Sequence, residues 1–164
     1  MQTIEKKTVS VGKFVTTKHV DTVIKNYKQE RWIQNSERLG KEDSLSGWWS
    51  IEEIENFLET AKIHGADGIK LYFGAYDKNY QEKPEYAGLQ TIVMVGTKQK
   101  EGAYGTTINK DIYVNDEKGN NILAYNAVQL CPPYCGKTPP TTMFDDMEVG
   151  ITMIDRGDKG LLVI

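Results

Sequence analysis

The sequence predicts an α+β fold: a single domain in which a mixed or mainly antiparallel sheet of about five strands packs against two main helices. Three observations lead there. Residues 48–76 (WWSIEEIENFLETAKIHGADGIKLYFGAY) contain a capped amphipathic helix, a glycine stop and an alternating strand in direct succession. Leu89–Thr97 is apolar on both faces, as a strand covered from two sides must be. Asp111–Val114 and Ile122–Tyr125 flank NDEKGNN, a hairpin pattern. With 164 residues, 39% of them hydrophobic and 26% charged, the chain has the material for one packed core.

The elements follow in order. Val9, Val11 and Val15 suggest a short N-terminal edge strand. Thr16 or Thr17 then caps a helix, with Asp21 near the positive end of its dipole. Val20, Val23, Ile24 and Tyr27 define one apolar stripe, opposite the solvated Lys18, Lys25 and Lys28. Trp32 and Ile33 project from other faces, so the helix bends near Arg31 or is gripped from two sides. Residues 34–47 form a connection, with helix-ending chemistry at Gly40 and turn residues from Ser44 to Gly47.

The second helix is the best-specified element. Ser50 and Glu53 form a capping box, and Trp49 stands where a hydrophobic staple to Ile54 belongs. Ile51, Ile54, Phe57, Leu58 and Ala61 share one stripe. Glu52, Glu53 and Glu55 lie at the N-terminal end, Lys62 and His64 at the C-terminal end, and Gly65 supplies the stop. Ile69, Leu71, Phe73 and Ala75 then alternate with Lys70, Tyr72, Gly74 and Tyr76. The helix is expected to lay its stripe on the Ile69/Leu71/Phe73 face. Tyr72 and Tyr76 are then left on the other face with Ile92 and Met94, under the first helix or lining a pocket or partner surface.

Residues 77–88 read as a polar loop and 98–105 (KQKEGAYG) as a second, glycine-bearing one. CPPYCGKTPPTT cannot be regular, because its four prolines remove donors and restrict φ. Gly150–Ile154 and Leu161–Ile164 flank DRGDKG as a closing hairpin whose last strand is expected to join the sheet.

Charge and composition narrow the function classes. A net charge of −3 offers no basic footprint for nucleic acid. No apolar run reaches membrane-spanning length and no leader-like apolar core follows the N-terminus, so the expectation is a cytoplasmic protein without a membrane partner. No cofactor motif is present, and no cofactor is expected.

The cysteine pair is the most distinctive local feature. Cys131-Pro-Pro-Tyr-Cys135 has three intervening residues, where a thioredoxin-like site needs two and a following helix. A disulfide needs the two Cα atoms within about 7 Å, and a zinc site needs three or four ligands. The favoured reading is a proline-locked loop in which the cysteines are small apolar fillers. Gly136-Lys137-Thr138 lacks the first glycine of a P-loop, since Cys131 stands there. Arg156-Gly157-Asp158 reads as a turn. Gly65-Ala66-Asp67-Gly68-Ile69 resembles the helix-to-strand joints of (β/α)₈ barrels, a fold that needs ~250 residues. His19 and His64, the two histidines, are the available imidazoles, and no nucleophile motif accompanies them.

Aromatic residues gather near the central helix and strand: Trp48, Trp49, Tyr72, Tyr76, Tyr80 and Tyr86. Two functions are therefore carried forward. The favoured one is a non-catalytic binding protein that holds a small-molecule or protein partner through Trp48, Tyr72 and Tyr76 on the aromatic face or through the loops at 77–88 and 98–108. The alternative is a small enzyme, or a thiol or metal site, built around Cys131 and Cys135.

Overall fold

The computed structural model describes residues 10–135 and the backbone of 153–155 and 161–163. The architecture is α+β, with every strand pairing antiparallel. In chain order the helical segments are α1 (Thr17–Tyr27), α2 (Ile33–Leu39) and α3 (Ile51–Ile63). The strands are β1 (Ser46–Trp48), β2 (Gly68–Ala75), β3 (Gln90–Glu101), β4 (Thr107–Asp111), β5 (Tyr113–Asp116) and β6 (Gly119–Ile122). They continue with β7 (Ala124–Tyr125), β8 (Gln129–Cys131), β9 (Met153–Asp155) and β10 (Leu161–Val163).

Residues 10–16 carry no regular structure, and Val9 lies outside the described residues, so the expected N-terminal strand is replaced by an irregular lead-in. Thr16 then caps α1, its hydroxyl accepting from the His19 N–H at 3.3 Å. From Thr17 to Leu39 the backbone stays helical, but Lys28–Trp32 is a π-helical turn. The wider turn shifts the helix phase where the apolar stripe breaks off near Arg31. That shift frees Trp32 to donate its indole N–H to the Asp43 carbonyl at 2.6 Å. Gly40 ends the helix in the left-handed conformation, at φ 71°.

The capping box of α3 is formed. Glu53 N–H donates to the Ser50 hydroxyl at 3.1 Å, and Ser50 N–H donates back to Glu53 Oε2 at 2.9 Å. Phe57 and Ala61 are buried, while Ile51 at the start of the same stripe is exposed. Trp49 packs against the buried cluster of Tyr86, Leu89, Val128 and Leu130.

The main sheet has the order β2-β3-β4, with β7 also pairing to β3. β5 pairs with β6, β1 with β8, and β9 with β10. The closing hairpin thus forms, but its strands pair with each other and not with the main sheet. β1 arises within what the sequence presents as a connection. β3 continues through Lys98–Glu101, which the sequence assigns to a loop.

The β2–β3 register corrects two expectations. Leu71 stands opposite Met94 and Phe73 opposite Ile92, whereas Tyr72 stands opposite Val93. Ile92 and Met94 therefore share the Leu71/Phe73 face and not the face of Tyr72. α3 does lie on that face, but over β3. Phe57 meets Tyr125 with ring centroids 5.7 Å apart, and a Cβ on Gly96 would lie 3.7 Å from that of Ala61. Placed there, α3 leaves Leu71 and Phe73 uncovered.

Candidate functional site

Hydrogen bonds at the ends of the β2–β3 pair show how β2 is oriented. Tyr76 N–H donates to the Leu89 carbonyl at 3.0 Å, making Tyr76 and Leu89 a hydrogen-bonded pair. Gly96 turns away from β2, its N–H donating to Leu123 O and its carbonyl accepting from Ile112 N–H, both at 2.9 Å. With the observed register, even-numbered residues of β2 face β3. Ile69, Leu71, Phe73 and Ala75 direct their N–H and C=O groups away from it.

The two edges of this strand pair are treated differently. On the far side of β3, Gln90 N–H donates to Asp43 Oδ1 at 2.7 Å, and its carbonyl accepts from the Ser44 hydroxyl. Asn126 Nδ2 donates to the Ile92 carbonyl at 2.8 Å, and β7 and β4 pair with the rest of the strand. On the outer side of β2, no described residue pairs with the backbone of Ile69, Leu71, Phe73 or Ala75.

The side chains along this open edge are apolar. Leu71 is 55% exposed and Phe73 80% exposed, although an inward-facing strand position normally removes most of such a side chain from water. An exposed edge strand presents a row of free donors and acceptors to another chain. Here it also presents two large hydrophobic side chains on one face.

Tyr72 occupies the opposite face and is 41% exposed, so that face is not closed by α1. Its phenol donates to Asp111 Oδ2 at 2.7 Å, and Lys70 Nζ donates to Asp111 Oδ1 at 2.6 Å and to the Tyr72 oxygen at 3.1 Å. The Lys70 hydrogen bond, followed by that of Tyr72, holds the Asp111 carboxyl below the usual aspartate range. The same bond to Asp111 raises the Lys70 ammonium. All three polar groups thus satisfy one another across the sheet, which leaves Lys70 a poor guard for the edge.

Tyr76 packs against the buried cluster. Its ring stacks on Tyr80 with centroids 4.4 Å apart, and its hydroxyl donates to Asn126 Oδ1 at 2.8 Å. Trp48 is 59% exposed on β1, opposite Gln129 of β8. Trp48, Tyr72 and Tyr76 therefore occupy three settings: a short two-stranded ribbon, an ion-pair cluster and the margin of the core.

Cys131 and Cys135 are joined in a disulfide with Cα atoms 4.7 Å apart. This corrects the reading of the two as apolar fillers. The turn that closes the bridge runs through Pro132 and Pro133 and is pinned by Tyr134. Its N–H donates to Leu130 O at 2.9 Å, its hydroxyl donates to Glu85 Oε1 at 2.6 Å, and its ring meets Tyr86 edge-on. Among the described residues, no group of three or more His, Cys, Asp or Glu side chains gathers as a metal site. A crevice of about 20 Å³ between Ser44–Gly47, Gln90–Ile92 and Leu130 has room for a water molecule and not for a metabolite.

The edge itself escaped sequence reasoning. The alternation of Ile69–Tyr76 gives the faces of β2, but which backbone groups point outward depends on the partner strand. No family model, curated protein or solved structure matches this chain, so the geometry alone carries the functional reading.

Proposed function

We propose that this chain is a non-catalytic protein-binding module that takes up an extended segment of a protein partner by strand addition at β2. The observation that carries the reading is the combination on one strand of outward backbone groups at Ile69, Leu71, Phe73 and Ala75, which no described residue pairs, with exposed Leu71 and Phe73 side chains. Main-chain bonds would supply affinity, and alternate side chains would supply specificity. A net charge of −3 favours a protein over a nucleic acid as partner.

The cysteine loop fits a staple better than a reactive site, because its sulfurs are spent on each other and Tyr134 ties it to the core. Cystines persist in oxidising compartments, so this reading does not require the cytoplasmic location that the sequence suggests. No described helix is long and apolar enough to cross a membrane.

The test is selection of a displayed random-peptide library on the full chain. Binders should alternate apolar and polar residues. Phe73→Lys should weaken them at least tenfold, and Leu71→Pro, which removes an outward N–H without touching the β3 ladder, should weaken them similarly. Binders indifferent to both substitutions would refute the proposal.

A further inference from the structure

We infer that the segment added to β2 is the β2 strand of a second copy of this chain, paired antiparallel about a two-fold axis at Tyr72. This rests on the strand-addition reading above and names the occupant of the same edge.

Register and charge argue for it. In an antiparallel self-pairing that joins outward-facing residues along the full strand, Ile69 meets Ala75 of the second copy and Leu71 meets its Phe73. Four such pairs, each exchanging two backbone bonds, give about eight hydrogen bonds across the axis. The side chains of all four pairs lie on the α3 face, where Leu71 and Phe73 of each copy would cover one another.

The opposite face also tolerates the symmetry. Tyr72 meets Tyr72 of the second copy at a non-hydrogen-bonded pair, the closer kind of cross-strand contact. Lys70, the one charged residue of β2, meets Gly74 of the second copy, and its ammonium is already held by Asp111. No like charges are brought face to face, which is the usual obstacle to self-pairing of an edge.

Size sets the expected strength. Phe73 offers on the order of 150 Å² of ring surface. With Leu71 and the strand backbone, the two copies together would bury less than about 1,200 Å², the range of weak, reversible interfaces. The dissociation constant should therefore lie in the micromolar range.

Sedimentation velocity of the full chain from about 1 μM to about 1 mM should show a monomer passing to a dimer, and hydrogen exchange over the same range should show the Ile69, Leu71, Phe73 and Ala75 amides gaining protection. Phe73→Lys should keep the native circular dichroism spectrum and shift the dimerisation midpoint at least tenfold. Register is read separately. The two native cysteines are paired with each other, so in Tyr72→Cys the new thiol is free to cross-link two copies across the axis, and Phe73→Cys should cross-link far less. A chain that stays monomeric at 1 mM with these amides exchanging freely would overturn the second copy as occupant. Peptide binding at the same edge would then still stand. Protection of the four amides in the monomer would overturn both, because the edge would already be covered.

Discussion

Replacing Asp43 tests the account of why only one side of the β2–β3 pair is open. Asp43 is 2% exposed, and its Oδ1 accepts from the Ser44 N–H at 2.8 Å and the Gln90 N–H at 2.7 Å. Its own N–H donates to the Ser36 hydroxyl at 2.9 Å, and its carbonyl accepts the Trp32 indole. One residue thus ties the end of the long helix, through its backbone, to the first residue of β3, through its carboxylate. In Asp43→Ala two backbone donors lose their acceptor at a buried site, at about 1–3 kcal/mol each. The total expected loss is about 2–6 kcal/mol, with about 4 kcal/mol as its centre. Asp43→Asn keeps an oxygen for both donors at neutral strength and should cost only about 1–2 kcal/mol. In urea, with a slope of about 2 kcal/mol per molar, the alanine variant should unfold about 2 M earlier than the wild type. Its Gln90 amide should also exchange faster. An alanine variant within about 1 kcal/mol of wild type, or one no worse than asparagine, would refute the idea that this oxygen closes the far edge of β3.

Three further outcomes follow from packing and charge. A Cβ at Gly47 would lie 2.5 Å from Cγ2 of the fully buried Val128, so Gly47→Ala should cost about 1–3 kcal/mol, read as a lowered thermal midpoint. The Asp111 carboxyl is held down chiefly by Lys70, so its stabilising share is present above the ordinary aspartate value of about 3.9 and lost as the pH falls through the lowered folded value. Lys70 is raised, so its share is present below about 10.4 and lost as the pH rises through the raised value. Lys70→Gln should return Asp111 towards the ordinary range in an NMR titration, and an unmoved Asp111 would contradict the pairing. Reducing Cys131–Cys135 opens a loop closed over a sequence separation of 4, worth about 2 kcal/mol by loop entropy, and should lower the urea midpoint by about 1 M without abolishing the main sheet.

What the sequence made legible is what short-range physics decides. The α3 cap, its glycine stop at Gly65 and the strand that follows it as β2 each depend on residues within one turn or one strand, and all appear in the structure, although Leu71, Tyr72 and Phe73 are exposed on both faces of that strand. The break in the first helical stripe near Arg31 was likewise a true local signal, and a π-helical turn accounts for it. Tyr86 was not legible as core, because it sits in a polar loop and is buried only when Val128 and Leu130, 42 and 44 residues further along, pack on it. Asp43 reads as a solvated turn residue in KEDSLSG, and its burial follows from the backbone donors that β3 brings to it. The disulfide hid for a related reason: three intervening residues say nothing about whether prolines turn tightly enough to join the ends.

The candidate site shows the same boundary from the other side. Alternation correctly groups Leu71 with Phe73 and separates both from Tyr72, but it cannot say that α3 sits over β3 and leaves the pair exposed. Nor can it say which backbone groups face outward, because that parity belongs to the pair of strands. The structure supplies both facts, and their conjunction is informative. The far edge of β3 is closed by a buried carboxylate and hydroxyl, by the Asn126 amide and by two strands. β2 is eight residues long and receives no such cover from the described residues. Proteins that keep such an edge to themselves usually place a proline, a bulge or a free charge on it. Here the strand holds no proline, and its one lysine is turned to the other face and bound to Asp111. An edge built with Leu71 and Phe73 where a gatekeeper would stand is what the proposed strand addition requires.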